Sequence, residues 1–314
     1  MTHYQSSFRV KKNKTNLLDM VGNTPLIEIP HPFNHKVSLF AKCEWANPSG
    51  SVKDRAAANI IKEALNQGLL ENKTLIDATS GNTGIAYAMH AASLGIPVEL
   101  ALPENASPER KLMLKNYGAK LHLTSPFEGT DGAQTFVKEK TKNNPNYYYP
   151  DQYNNDANWQ AHVLATGPEI WNQSKGACTV FVAGLGTSGT FCGCSRYLKP
   201  KGVTCISVQP NSALHGLEGW KHMPTNLVPG IYDDSLADEN ITVDTLDAYK
   251  FARAAACYLG LMLSPSAAAN LKAAYDIVKK LTTGTVVTVF ADNSSKYLNE
   301  AFWNQNDYLI KNPF

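Results

Sequence analysis

Thr74-Leu75-Ile76-Asp77-Ala78-Thr79-Ser80-Gly81-Asn82-Thr83-Gly84-Ile85-Ala86-Tyr87-Ala88-Met89-His90-Ala91-Ala92-Ser93-Leu94 decides how this chain folds. Thr74–Ala78 reads as a short buried strand, Thr79–Gly84 as a turn, and Ile85–Leu94 as a helix stopped by Gly95. The alternation continues with strand Val98–Leu102, a helix opened by Ser107-Pro108-Glu109-Arg110 and running through Tyr117, and strand Lys120–Thr124. A β-α-β-α-β succession implies a parallel sheet covered by helices, with right-handed crossovers. The pattern restarts after the polar stretch Asn143–Asp151, read as a transition between domains, and a helix over about 157–174. Strand Thr179–Ala183 leads into a glycine turn at 184–190, a helix, and strand Val203–Val208. Leu214–Ser235 reads as a loop over a site, followed by helices Asp244–Leu259 and Ala267–Lys280 and a last buried strand, Thr285–Phe290. Upstream lie a polar arm, Met1–Thr15, and two short strands within 21–29 and 37–44. The expected fold is α/β in two domains, each a mostly parallel twisted sheet flanked by helices.

The chain has 314 residues, 43% hydrophobic and 18% charged, which is globular composition with room for two domains. A net charge of +2 gives no reason to expect nucleic acid or a membrane surface as partner. No signal-peptide core and no bilayer-spanning apolar run is present, so a cytoplasmic protein is expected. Cys43, Cys178, Cys192, Cys194, Cys205 and Cys257 lack zinc-ligand spacing and read as buried thiols in a reducing compartment, with no metal expected.

Three stretches carry chemistry. Asn47-Pro48-Ser49-Gly50-Ser51-Val52-Lys53-Asp54-Arg55 sets one lysine at the mouth of an alanine-rich helix. The positive end of a helix favours the neutral amine, the form that condenses with an aldehyde. Read alone, Lys53 is better taken as a solvated lysine opening a helix. Gly184-Leu185-Gly186-Thr187-Ser188-Gly189-Thr190 joins a strand to a helix with small residues, hydroxyls and free backbone N–H groups, which suits a phosphate. It has neither the Walker lysine nor the third glycine of a dinucleotide turn, and by itself could be a plain connection. Thr79–Gly84 can hold a carboxylate through hydroxyl and N–H donors, or simply cap its helix. A reactive lysine, a neutral phosphate cup and a carboxylate turn on one scaffold fit pyridoxal phosphate and an amino-acid substrate.

These three stretches, in this order, resemble the motifs of the cysteine synthase (O-acetylserine sulfhydrylase) and cystathionine β-synthase family, of fold type II. Asp151-Gln152-Tyr153, Thr166–Trp171 and Lys296-Tyr297-Leu298 resemble it too, and the likeness runs from about Leu18 to Leu298. The resemblance implies a fold like the tryptophan synthase β-subunit with the cofactor in the cleft. It implies residues 1–43 packing on the C-terminal domain, 44–154 forming a smaller mobile substrate domain, and 155–314 forming the larger phosphate-binding domain. It makes Lys53 the residue joined to the cofactor and, later, the base that takes the substrate α-proton. Asn82 would bond the cofactor's ring hydroxyl, and Ser264 would face its pyridine nitrogen. Gly186, Thr187, Ser188, Gly189 and Thr190 would hold its phosphate. Thr79, Ser80, Asn82, Thr83, Gln152 and Gly219 would hold the substrate. The implied reaction is β-replacement on an O-activated L-serine, O-acetylserine first, with sulfide giving L-cysteine. Serine with homocysteine, O-phosphoserine as donor, and a retired binding or sensor relative are the alternatives. A homodimer is implied, and a serine acetyltransferase partner is compatible but not readable.

The chain departs from the family in three places. Ser188 stands where the family has glycine, and Pro265-Ser266 follows Ser264 where the family has Ser-Gly. The loop Gly216-Leu217-Glu218-Gly219-Trp220-Lys221-His222-Met223 is bulkier and more basic than the family's. Lys221 and His222 could face an acidic leaving group such as phosphate, but read as solvated. Glu218 could orient a second amino acid, but reads as exposed. The loop bears on the substrate, not on the cofactor.

Overall fold

The computed structural model describes residues 16–79, 81–304 and 312–314, so the Met1–Thr15 arm and Ser80 lie outside the described residues. The first β-α alternation forms a four-stranded sheet, all parallel, in the order β5-β4-β3-β6. Its strands are β3 (Thr74–Ala78), β4 (Val98–Pro103), β5 (Lys120–Thr124) and β6 (Tyr147–Tyr148). Every residue of β4 is buried, as expected for an inner strand with both faces covered. The covering helices are α1 (Lys53–Asn66), α2 (Asn82–Leu94), α3 (Pro108–Asn116) and α4 (Gly129–Thr141). Alanines let α1 and α2 approach closely, and Ile60 and Ile61 are fully buried, each contributing roughly 1.5–3 kcal/mol.

The second sheet has six strands in the order β1-β2-β10-β7-β8-β9, antiparallel only between β1 and β2. It comprises β1 (Leu26–Glu28), β2 (Val37–Cys43), β7 (Val180–Gly184), β8 (Thr204–Pro210), β9 (Glu239–Val243) and β10 (Gly284–Phe290). The register from Val37↔Gly284 to Cys43↔Phe290 ties the first long strand to the last. Helices α5 (Asp156–Ala161), α6 (Gly167–Gln173), α7 (Gly189–Leu198), α8 (Thr245–Ala254) and α9 (Pro265–Lys280) accompany this sheet.

Three local features differ from the sequence reading. The helix expected over 157–174 is split by a π-turn at His162–Thr166. Pro168 offers no N–H and its ring crowds the carbonyl four residues back, which a widened turn relieves. Helix α4 was not expected because two glycines and many polar residues hide its period, yet Ala133 and Val137 pack one turn apart beside Ile76 and Ala101. Strand β9 is a mostly exposed edge, so only Val243 is fully buried. Tyr147 and Tyr148 form strand, as read, while Cys257 is exposed rather than buried.

Candidate active site

The three turns converge at the carboxyl ends of β2, β3 and β7, where open parallel sheets place their ligand crevice. They border a cavity of ≈ 620 Å³, in which Lys53, Thr79, Asn82, Thr83, Gln152, Thr187 and Gly219 all meet. Gly186, Ser188, Gly189, Thr190 and Ser264 are not among its lining residues.

Lys53 opens α1, and the turn before it is fixed from two sides. The Asp54 carboxylate accepts from Ser49 N (2.9 Å), Ser49 Oγ (2.5 Å) and Ser51 N (3.3 Å). Val52 N donates to Ala291 O (2.8 Å), joining the turn to the end of β10. Burial holds the Lys53 amine below its ordinary range, partly opposed by the Asp292 carboxylate. Burial, more than the helix end, thus favours the nucleophilic form.

Asn82 heads α2 and is held at both ends of its amide. Its Nδ2 donates to Asp292 Oδ2 (2.8 Å), and its Oδ1 accepts from Lys296 Nζ (2.7 Å). Asp292 is an acceptor and Lys296 a donor, so chemistry fixes the amide orientation. Tyr297 OH donates to the same Asp292 oxygen (2.9 Å), while Asp292 Oδ1 is buried without a partner among the described residues. Thr83 Oγ1 donates to Gln152 Oε1 (2.8 Å), which brings two of the expected carboxylate ligands together. Thr79 Oγ1 accepts from Gly84 N (3.2 Å), so the capping role read for this residue coexists with its place on the cavity.

The glycine turn ends β7 and starts α7. Ser188 adopts φ +69°, a left-handed conformation that costs a side-chain-bearing residue roughly 1–2 kcal/mol. Its Oγ is buried beside the Cys192 thiol and bonds no nitrogen or oxygen among the described residues. Asn158 Nδ2 donates to Thr187 Oγ1 (3.1 Å) and to Gln152 O (2.7 Å), linking the cup to the substrate side. The Thr190 hydroxyl lies 3.3 Å from His162 Nε2, and burial, then Arg55 and Lys53, hold that imidazole neutral. A Cβ at Gly189 would strike the Asn158 carboxamide. Gly189→Ala should therefore weaken cofactor binding on the order of 10-fold by dislodging Asn158. An unchanged affinity in a pyridoxal phosphate titration followed by absorbance would refute that link.

Ser264 is fully buried at the head of α9, its Oγ accepting from Ala267 N (3.2 Å) and lying 3.3 Å from Ser266 Oγ. Pro265 occupies the first helical turn, where its missing N–H costs nothing.

The loop at 216–223 corrects the reading of Lys221 and adds a partner to Glu218, whose side chain stays 39% exposed. Lys221 is not solvated: it is 8% exposed and lines the cavity, with burial lowering its ammonium. Glu218 lines the cavity and forms a bidentate ion pair with Arg110 of α3 (Nη2–Oε2 2.8 Å, with a second contact from Nη1 to Oε1). The pair joins the loop of the six-stranded sheet to a helix of the four-stranded one. Sequence alone offered no signal for the Arg110 and Asn158 partnerships, since both span distant segments.

Asp77, just before the carboxylate turn, is fully buried. Burial, reinforced by the Asp151 charge and opposed by the Ala78 N–H, raises it to about 8. An unfolded aspartate ionises near about 3.9. The folded chain thus keeps a proton that the unfolded chain has lost between about pH 4 and pH 8, and stability falls as pH rises through that window. Asp77→Asn removes the charge but keeps an acceptor for Ala78 N. Its melting temperature should exceed the parent's at pH 8 and approach it at pH 4; a gain that does not grow with pH contradicts the assignment.

A family model described as pyridoxal-phosphate dependent enzyme matches residues 17–292, so fold and site define an enzyme that works with pyridoxal phosphate. The chain is 48% identical over 309 residues to the cysteine synthase of Aquifex aeolicus, covering 95% of this chain and 94% of that one. Cysteine synthase from Entamoeba histolytica superposes with a TM-score of 0.88 at 33% identity, over 96% of this chain and 95% of that one. The O-acetylserine dependent cystathionine beta-synthase of Helicobacter pylori does so with a TM-score of 0.86 at 31% identity, over 92% of this chain and 99% of that one. The chain belongs to the cysteine synthase family of fold type II pyridoxal phosphate-dependent enzymes.

The residues present fit the cofactor. Among the described residues the Lys53 amine has no ion-pair partner, and the cup has a buried Ser188 hydroxyl that bonds no nitrogen or oxygen, beside the N-terminus of α7. A neutral donor set at a helix N-terminus suits a phosphate dianion.

Proposed function

We propose that the enzyme makes L-cysteine and acetate from O-acetyl-L-serine and sulfide. The observation that carries this reading is the meeting of Lys53, of Thr79, Gly81, Asn82 and Thr83 with Gln152, and of Thr187 in one cavity. Bound pyridoxal phosphate would supply the electron sink that acidifies the substrate α-carbon. Gly186–Thr190 would hold its phosphate, Asn82 its ring hydroxyl, and Ser264 its pyridine nitrogen. Thr79, Ser80, Asn82, Thr83 and Gln152 would fix the substrate carboxylate, with Gly219 closing from the loop. Lys53 would take the α-proton and later return it. Over the cycle the Cβ–O bond breaks with its electron pair leaving on acetate, and a Cβ–S bond forms to sulfide.

Residues 44–154 would act as a smaller domain closing on 155–314, with residues 1–43 fixed to the latter. The Arg110–Glu218 pair spans that division. Because Glu218 is already paired, its role in orienting a second amino acid is weakened, and condensation of serine with homocysteine is the lesser reading. No helix among the described residues is long and apolar enough to cross a membrane, and family likeness supports a cytoplasmic homodimer, with docking of a serine acetyltransferase compatible. The test is product analysis of the loaded enzyme given O-acetyl-L-serine with sulfide or with homocysteine. Cysteine should form at least about 10-fold faster than cystathionine, a difference of about 1.4 kcal/mol in barrier; the reverse order would replace this reading.

A further inference from the structure

The segment that follows β10, residues 291–297, threads between the chemistry-bearing turns, and the proposed reaction gives it no task. Asp292 bridges to Ser51 of the lysine turn, and Asn293 to Leu263, next to Ser264. Lys296 Nζ donates to Ser49 O (3.2 Å) and to Asn82 Oδ1 (2.7 Å), so one ammonium bonds two of those turns. Among the described residues no carboxylate pairs with it; Asp292 and Asp54 act on it only through their fields. Asp292 is 1% exposed and takes the Asn82 Nδ2 donor on the same oxygen as the Tyr297 hydroxyl. The Tyr297 ring is held in turn by the Arg110 guanidinium, 4.9 Å from its centroid.

A carboxamide offers two N–H donors and one acceptor oxygen. In Asn82 the oxygen meets an ammonium and one N–H meets a carboxylate, which leaves the second N–H unpaired among the described residues. Turning the amide over would set donor against donor and acceptor against acceptor, losing two charge-assisted hydrogen bonds. Hydrogen bonds in series polarise one another, so the ammonium on Oδ1 strengthens the free N–H as a donor.

We propose that Lys296 is a positioning residue for the cofactor ring. With Asp292 it fixes the Asn82 amide so that the second N–H, and not the carbonyl, meets the ring oxygen and holds that oxygen ionised. This deepens the function proposed above and rests on its placing Asn82 at the ring hydroxyl. The proton that the ring oxygen gives up stays on the nitrogen of Lys53, where its charge opens the neighbouring cofactor carbon to the substrate amine.

The test loads the parent, Lys296→Met and Lys296→Arg with pyridoxal phosphate and records absorbance at neutral pH without substrate. The ionised ring oxygen gives the visible band, and the protonated one a near-ultraviolet band. Lys296→Met should lower the visible to near-ultraviolet ratio about 5–10-fold, within reach of one lost charge-assisted hydrogen bond, and Lys296→Arg should restore most of it. A lysine with a merely structural role would change cofactor occupancy or melting temperature and leave the ratio per bound cofactor alone. A ratio that stays within about twofold, well short of such a bond, overturns the proposal and leaves the cysteine synthase reading intact. If Lys296→Met takes up no cofactor, a crystal structure of the parent holoenzyme decides. Lys296 Nζ bonded to Asn82 Oδ1, with Asn82 Nδ2 bonded to the ring oxygen, supports the proposal. Lys296 Nζ turned away from Asn82, or a ring oxygen beyond about 3.5 Å from Nδ2, overturns it. A parent that takes up no pyridoxal phosphate overturns both readings.

Discussion

Lys53→Ala protein should emerge colourless from incubation with pyridoxal phosphate and desalting, and should turn over at least about 10³-fold more slowly than the parent. The size of the effect follows from two roles in one amine, covalent attachment and proton transfer. The variant should still fold. Lys53 is the first residue of α1, and its amine is enclosed without an ion-pair partner among the described residues. Replacing it therefore removes a desolvated amine rather than a structural contact. A melting temperature equal to or above the parent's, together with lost colour, is the expected pair of results. Lys53→Ala protein that kept the visible band and normal turnover would show that another group does this work.

Arg55→Met should destabilise the fold by about 3–5 kcal/mol, the cost of breaking a buried ion cluster from one side. Arg55 Nε donates to Glu44 Oε2 (2.6 Å) and Nη2 to Glu44 Oε1 (2.8 Å). The same guanidinium reaches Glu169 through Nη1 (2.8 Å) and Nη2 (2.7 Å), and Lys42 Nζ meets Glu169 Oε2 at 2.7 Å. Four segments are joined in this way: β2, the 3-10 turn Glu44–Ala46 that follows it, α1 and α6. Burial tends to raise Glu169, but hydrogen bonds and charge from Arg55, then Lys42, outweigh it and hold the carboxyl at about 2. An unfolded glutamate titrates near about 4.3, so this stabilisation is full above that pH and is lost as pH falls toward about 2. Arg55→Met should thus lower stability at pH 7 and flatten its acid dependence. Because Arg55 lies two residues beyond Lys53, cofactor affinity should fall as well. Denaturant unfolding at pH 7 and pH 3 checks this; equal losses at both would detach the cluster from Glu169.

The sheets were legible because apolar strands alternate with helices whose starts are marked by glycine and small polar residues. The cofactor was legible because its three sites are contiguous: 47–55, 79–84 and 184–190 each form one turn. What stayed hidden is made by segments far apart in sequence. Arg110 and Glu218 meet across 108 positions, and nothing local to either announces the other. Lys221 read as solvated because it sits in a polar-looking loop, yet Trp220 packs over Gly184 and draws the loop inward. Helix α4 escaped because Gly129 and Gly132 lower helix propensity while tertiary packing of Ala133 and Val137 overrides it.

The central claim is that Lys53 is the covalent anchor of pyridoxal phosphate. The most direct measurement is borohydride reduction of the loaded protein, proteolysis, and mass spectrometry of the modified peptide. A phosphopyridoxyl mass on Lys53 is the result expected. The same mass on Lys221 or Lys296, the other lysines described at this site, or on no lysine at all, would contradict the account.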